Sequence, residues 1–237
     1  MRALIFLTAS LGSTEPNFCT DAPTHDSQSA SAGRPSHGRL QGAARFLDSE
    51  AARIMPLRHA ARCIRFATAR LVLAIAHTAE RVQALIPNSP ALGVGDLSRA
   101  SGGPISPYSR SHQSGRDADL AFYARDVSGA PVAATDLHAY SDKLVSNDGS
   151  LHFDVERNWQ MVAGLLEDAS IHVQWLFVTP AIAHALVAEG ERVGAPSALL
   201  ARATAVLHQP SDARPHNDHM HVRILCEADE RRLGCLD

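Results

Sequence analysis

The chain reads as an α+β fold, a small and mostly antiparallel sheet flanked by helices, on three observations. Several short segments alternate apolar and polar residues with the period of two that a half-buried strand requires. Others repeat apolar residues at helical spacing and stop at Pro or Gly. The two kinds follow one another irregularly and not as regular βαβ units, which argues against an all-parallel sheet.

From the N-terminus, Met1–Leu11 carries one positive charge and then a short apolar run. That is the outline of an export signal without a clean small-x-small cleavage site. An upstream start codon that adds a meaningless tail gives the same pattern. Residues 12–38 are rich in Ser, Thr, Ala, Pro, Gly and Asp and read as a disordered leader. The expected organisation is therefore a leader over residues 1–37 and one domain over residues 38–237.

Leu71, Ile75, Ala79, Val82 and Leu85 recur at helical spacing and predict a helix over Ala69–Leu85, closed before Pro87. Ala91–Leu97 reads as a short buried strand. Ser98–Ser111 is a serine-rich loop broken by Gly102-Gly103-Pro104 and Pro107. Asp117–Phe122 alternates and predicts a strand with Asp117 and Asp119 on one side. Asp154 is placed to cap a helix over Val155–Glu167 whose buried stripe is Trp159, Val162, Ala163 and Leu166. Ile171–Val178 reads as a strand. Thr179-Pro180 opens a helix expected to stop at Gly190, and another runs from Pro196 to about Leu207. The last strand lies at the end of Arg214–Ile224.

Composition narrows the functions. A hydrophobic content of 45% in 237 residues is ample for a core. A net charge of −3 without a long basic run argues against nucleic acid or an anionic membrane surface as partner. No stretch approaches the ~18 apolar residues of a membrane span, since Ala67–Ile86 is interrupted by Arg70, His77, Glu80, Arg81 and Gln83. Cys19, Cys63, Cys226 and Cys235 form no CxxC pair, which disfavours a cysteine zinc knuckle. Two disulfides are allowed, and Cys226 with Cys235 would close a short C-terminal loop.

Histidine is the outlier, with 13 residues. In the last strand His219, His221 and Arg223 share one face while Met220, Val222 and Ile224 point into a core. A catalytic zinc takes three protein ligands and leaves a fourth position open, and this strand offers one or two of them. Upstream, His112 ends the serine-rich loop and Asp119 sits on the strand, with Gly115 giving the intervening turn its freedom. A loop histidine and a strand aspartate can thus converge with the C-terminal histidines. Asp117 reads as a salt-bridging neighbour, and Asp212 or Asp218 as a carboxylate able to orient an imidazole. Trp159 and Trp175 read as core. His138, His152, His172, His184 and His208 have no paired spacing and read as surface or core residues. No Gly-x-Ser-x-Gly elbow supports a serine hydrolase.

The fragments Ser111–Asp119 and His216–Arg223, read as His-x6-Asp and His-x2-His-x-His, resemble the LAS group of zinc metallopeptidases. Within it they are similar to the penicillin-insensitive murein endopeptidases. Gly95–Ser98 and Phe153–Trp159 look like connecting elements of the same domain, so the resemblance spans roughly residues 88–226. It implies an LAS-like fold, one catalytic Zn2+ held by His112, Asp119 and His221, His219 as general base beside the metal, and His216 lining the site. It also implies hydrolysis of D-amino-acid-containing peptide cross-links of peptidoglycan, and hence a periplasmic or secreted enzyme. Arg223 or Arg116 would help stabilise the charged tetrahedral species. Related endopeptidases often carry a histidine three positions before the first ligand, where this chain has Ser109. Two other functions fit the same residues: a D-Ala-D-Ala carboxypeptidase or dipeptidase, and a non-catalytic zinc-containing wall-binding domain.

Overall fold

The computed structural model describes residues 18–21, 29–56 and 58–237. The export-signal reading of Met1–Leu11 and most of the leader lie outside the described residues. The first half comprises β1 (Ala30–Arg34), β2 (His37–Gln41), β3 (Ala44–Arg45), β4 (Ala52–Ile54), α1 (Arg58–Arg62), β5 (Phe66–Ala67), α2 (Ala69–Leu85) and β6 (Leu92–Val94). Then come β7 (Asp117–Ala121), β8 (Ala124–Asp126), β9 (Pro131–Val132), β10 (Leu151–Phe153), α3 (Val155–Glu167) and β11 (Val173–Phe177). The chain finishes with α4 (Pro180–Arg192), α5 (Ser197–Val206), β12 (Leu207–His208), β13 (His219–Ile224) and α6 (Ala228–Arg232).

Six strands form the main sheet in the order β12-β11-β13-β7-β6-β4. Its four central strands pair antiparallel, and only the outer pairs β11–β12 and β6–β4 are parallel. This is the expected α+β architecture. The inward side chains of the two middle strands, Ala118, Leu120, Met220, Val222 and Ile224, are fully buried. They share one core with Leu71 and Ile75 of α2 and with Met161 and Leu165 of α3. Each large aliphatic group so buried contributes about 1.5–3 kcal/mol of transfer free energy. The helices hold the sheet by its back and leave its front for chemistry.

The helix over Ala69–Leu85 has the expected bounds. Helix α3 opens at Asp154, whose side chain accepts from the Arg157 backbone N–H at 3.3 Å and from its guanidinium at 2.6 Å. Gly190 does not end its helix, which continues to Arg192. A Cβ on Gly190 would lie 2.6 Å from two ring atoms of Trp159, so this glycine lets α4 approach α3 closely. Both disulfides form, Cys19–Cys63 and Cys226–Cys235.

The region read as leader is not wholly unstructured. β1 and β2 make an antiparallel hairpin that begins at Ala30, ahead of the expected domain start. Pro35 in its turn accepts from the Gln113 backbone N–H at 2.9 Å. Gly38 lies so close to Ser114 that a Cβ there would meet the serine Cβ at 2.7 Å. Composition missed this because the hairpin is built from small and polar residues. It is held by its seat under the 112–115 loop, by a small core of Leu40 with Phe66 and Ala100, and by bonds from β1 to the C-terminal segment at Glu230, Gly234 and Leu236.

Candidate metal centre

The register of β7 and β13 sets the site. His219 lies opposite Ala121, His221 opposite Asp119, and Arg223 opposite Asp117. Since side chains alternate, all six occupy the front of the sheet. Phe177 of β11 lies opposite His221 from the other side. The loop ahead of β13 is pinned by Asn217, which exchanges backbone and side-chain bonds with Tyr140. It is also pinned by Gln209, whose side-chain oxygen accepts from the His216 N–H at 2.9 Å.

His112 reaches the same place from its loop with φ +63°. A non-glycine residue in the left-handed region costs of order 1–3 kcal/mol and persists only where its surroundings impose it. Gly115, at φ +73°, completes the turn; a Cβ there would strike the Leu40 side chain at 2.7 Å. The backbone is bent to deliver an imidazole.

The donors converge on one point. From Asp119 Oδ1 it is 3.2 Å to His112 Nε2, 3.1 Å to His221 Nδ1 and 3.3 Å to His219 Nε2. None of these approaches has hydrogen-bond geometry, and Asp119 Oδ1 and both nitrogens of His112 are buried without a partner. Buried polar atoms are ordinarily satisfied. A buried, unpartnered acceptor oxygen ringed by three imidazole nitrogens is what a cation-binding donor set looks like. Two triads have ligand atoms mutually within 4.8 Å: His112, Asp119 and His221, all buried, and His216, His219 and His221. The chemistry of either set fits a borderline-soft divalent metal such as zinc.

The imidazoles are oriented from behind. His221 Nε2 donates to Asp117 Oδ1 at 2.8 Å, leaving Nδ1 to face Asp119. Arg223 Nε donates to the same oxygen at 2.7 Å. His219 Nδ1 bonds Asp218 Oδ1 at 2.7 Å, leaving Nε2 toward the centre. Such second contacts fix the tautomer and the ring direction. Behind Asp119, the backbone carbonyl of Asp96 accepts from the Asp119 N–H. The Asp96 carboxylate is itself held by buried His59 and Arg62 at 3.0 and 2.6 Å.

Charge follows the geometry. Burial alone would raise the Asp117 and Asp119 carboxyls, but facing Arg223 and the histidines hold both well below the usual carboxylate range. Burial opposes a charge on His219, yet Asp119 and Asp218 bring it up to about 10. His112 is likewise raised against burial by Asp119, Asp117 and Asp96. His216 goes the other way, down to about 4, because burial and the neighbouring imidazoles disfavour its cation. The cluster gathers protons where a divalent ion would sit, as metal-ligand sites do.

The sequence-derived site residues are thus brought together: His112, Asp119, His216, His219 and His221 share one point on the sheet. Asp117 and Asp218 stand behind two of them, whereas Asp212 is exposed. Arg116 does not face the centre. It is fully buried and bonds Ser31 Oγ, the Ile224 and Leu236 carbonyls and the Asp237 carboxylate. Trp159 is core, but Trp175 is only half-buried and stacks on Phe177 at 6.3 Å. His152, His172, His184 and His208 are exposed. Phe177, whose ring packs on His216 and His221 at 5.6 and 5.2 Å, was not foreseen, nor was the His59–Asp96 pair. The alternation of Ile171–Val178 was the available signal for Phe177; nothing in the pattern marked His59.

This is an α+β domain that gathers three histidines and an aspartate around one point, with a fourth histidine and two orienting carboxylates beside them, a donor set that could hold a metal ion. The chain belongs to the penicillin-insensitive murein endopeptidase family, whose model matches residues 31–235. The match takes in all but the first residue of the β1–β2 hairpin and all the candidate site residues. Comparison with curated proteins finds no match. The family makes the chain a peptidase acting on peptidoglycan. Among the described residues no helix is long and apolar enough to cross a membrane.

Proposed function

We propose that the chain is a zinc-dependent endopeptidase hydrolysing D-amino-acid-containing peptide cross-links of peptidoglycan. His112, Asp119 and His221 are the ligands and His219 is the general base. The observation that carries this reading is the convergence of three imidazole nitrogens on Asp119 Oδ1, a buried oxygen without a hydrogen-bond partner. The wholly buried triad is preferred over His216, His219 and His221 because it leaves His219, with 17% of its side chain exposed, able to exchange protons with substrate and solvent.

A bound zinc supplies Lewis acidity toward the scissile carbonyl and lowers the pKa of its water toward ~7. The chain's own residues do the rest. Asp119 keeps His219 protonated only while its charge is unshared. With that charge taken up by a ligated ion, His219 could take a proton at Nε2 and return it to the departing amine, while Asp218 accepts from Nδ1–H and stabilises the imidazolium. His216, uncharged at neutral pH, lines the site as a hydrogen-bonding partner for substrate. Arg223, over the Phe177 ring at 5.1 Å, is the cation on this face and can answer developing negative charge.

The front of the sheet continues on both sides of the cluster. Toward one end lie Arg223 and Trp175; toward the other a recess opens beyond Ala121. Two-sided access suits cleavage within a cross-link, whereas a carboxypeptidase needs a closed end. The substrate and the two disulfides agree with a periplasmic or secreted location.

Two measurements test this. Incubation with purified muropeptides is expected to turn cross-linked dimers into monomers; intact dimers that lose terminal D-Ala would replace the endopeptidase by a carboxypeptidase. His219→Ala is expected to keep one zinc per chain and lose turnover by 10²-fold or more, about the contribution of a positioned base. Full activity would remove His219 from the chemistry.

A further inference from the structure

The left-handed turn that delivers His112 is held from two sides. On its inner side the Thr68 N–H donates to the Gly115 carbonyl at 2.9 Å, and the Gly103 N–H to the Gln113 carbonyl at 2.8 Å. On its outer side it rests on the β1–β2 hairpin, through Pro35, Gly38 and Leu40. A two-stranded hairpin is marginal by itself, and different parts of the chain tie down the two strands of this one. β2 is docked through Leu40, whose side chain packs with Phe66 and Ala100 and whose N–H donates to the Ser101 carbonyl at 3.1 Å. β1 is docked by the C-terminal segment. The Ser31 N–H donates to Glu230 at 3.0 Å, the Gly33 N–H to the Gly234 carbonyl at 3.0 Å, and the Leu236 N–H to the Gly33 carbonyl at 3.0 Å.

One side chain joins these pieces. Arg116 follows the turn in sequence, and its backbone carbonyl is fixed to the sheet by the Ile224 N–H at 3.1 Å. Its side chain is wholly buried. Nε donates to Ser31 Oγ at 3.1 Å, Nη1 to the Ile224 carbonyl at 2.8 Å and the Asp237 carboxylate at 3.0 Å, and Nη2 to the Leu236 carbonyl at 2.7 Å. One nitrogen thus grips β1, and the other two grip the segment that flanks it. A planar guanidinium can serve all these acceptors at once, whereas an ammonium is a point charge on a flexible stem. Without the fork, buried carbonyls are left without a donor, which is more costly than the net loss of the bonds. The C-terminal segment then loosens and β1 loses its outer partner. The turn keeps its inner bonds but not its seat, and a φ of +63° at His112 persists only where the surroundings impose it.

We propose that Arg116 is a positioning residue for the donor cluster: by fastening the hairpin to the C-terminal segment, it keeps the 112–115 turn bent so that His112 reaches the metal position. This rests on the reading of His112 as a metal ligand.

The test uses cobalt(II), which accepts the same kinds of ligand as zinc, titrated into the metal-free full chain and followed by its visible absorption. Arg116→Lys is expected to weaken cobalt binding roughly tenfold, the lower end of what losing a group that orients a metal ligand costs. In the metal-free variant, amide hydrogen exchange should quicken at residues 112–115, while Asp117–Ala121 and His219–Val222 keep wild-type protection. Ser31→Ala deletes one bond of the fork and leaves those to the C-terminal segment. It should act in the same direction by about threefold, the scale of one hydrogen bond, and it carries the test if the lysine variant does not fold. Wild-type cobalt affinity, unchanged protection at residues 112–115, or faster exchange spread over both strands would each overturn the positioning role and leave the ligand reading standing. If His112→Ala binds cobalt as tightly as the wild type, the ligand reading itself fails and the positioning role falls with it.

Discussion

Replacing Asp117 by Asn tests whether the donor cluster is held from behind as its geometry implies. The substitution keeps shape and volume but removes the charge that accepts from both His221 Nε2 and Arg223 Nε. Asp117 Oδ2 is buried without a hydrogen-bond partner, so an amide nitrogen in its place would gain an unsatisfied donor. Losing a charge-assisted bond costs about 1.5–3 kcal/mol. Mutating a group that orients a metal-bound histidine typically costs 10–100-fold in metal affinity, which at ~1.4 kcal/mol per decade is about 1.4–2.8 kcal/mol. The two estimates agree, so zinc affinity should fall by one to two orders of magnitude. Competition against a chelator of known affinity, followed by titration of zinc into the stripped protein, measures it. An affinity within twofold of wild type would refute the reasoning, because His221 would then be oriented by packing alone.

Four further outcomes are expected. His112→Ala should abolish stoichiometric zinc in metal analysis of the purified protein, while the metal-free chain keeps its secondary structure by circular dichroism; a full zinc complement would exclude His112 as a ligand. Gly190→Val drives methyl groups into Trp159 and should cost about 2 kcal/mol by overpacking, lowering the melting temperature by roughly 4–8 °C for a domain of this size. At Asp168, burial opposes the charge, but bonds from Ser170 and His77 hold the carboxyl below its ordinary value. A depressed carboxyl stabilises above the unfolded pKa of ~3.9 and loses that contribution as pH falls. Asp168→Asn should therefore cost about 1 kcal/mol at pH 7 and progressively less as pH falls below the unfolded value, read from denaturant melts across that range. Arg116→Leu removes the bonds that fasten Leu236 and Asp237, and faster hydrogen exchange should appear across residues 224–237.

Much of this was legible because local patterns coincide with tertiary demands. Alternation in Asp117–Phe122 and in His219–Ile224 located two strands and named which side chains share a face, and the core confirms the split. Pro87 and Asp154 marked helix ends by backbone chemistry that acts within a turn. The failures have one source: they concern surfaces that meet only after folding. Gly190 looks like a stop signal until Trp159 is seen against it. Arg116 sits next to a site residue in sequence yet turns to the C-terminal segment. Residues 30–37 lack large apolar residues to bury, and their order comes from the loop they support and from bonds to the C-terminal segment at Glu230, Gly234 and Leu236.

The place of β13 in the sheet bears on when the enzyme can first exist. It lies between β11 and β7, so the two earlier strands cannot become neighbours through it until this late segment inserts. During synthesis, His112 and Asp119 emerge about a hundred residues before His221, and the closure of so long a loop makes the step slow. An emerging chain therefore carries a gap in the middle of its sheet and no assembled donor cluster. The donor cluster is completed together with the last strand, in the same event that completes the core.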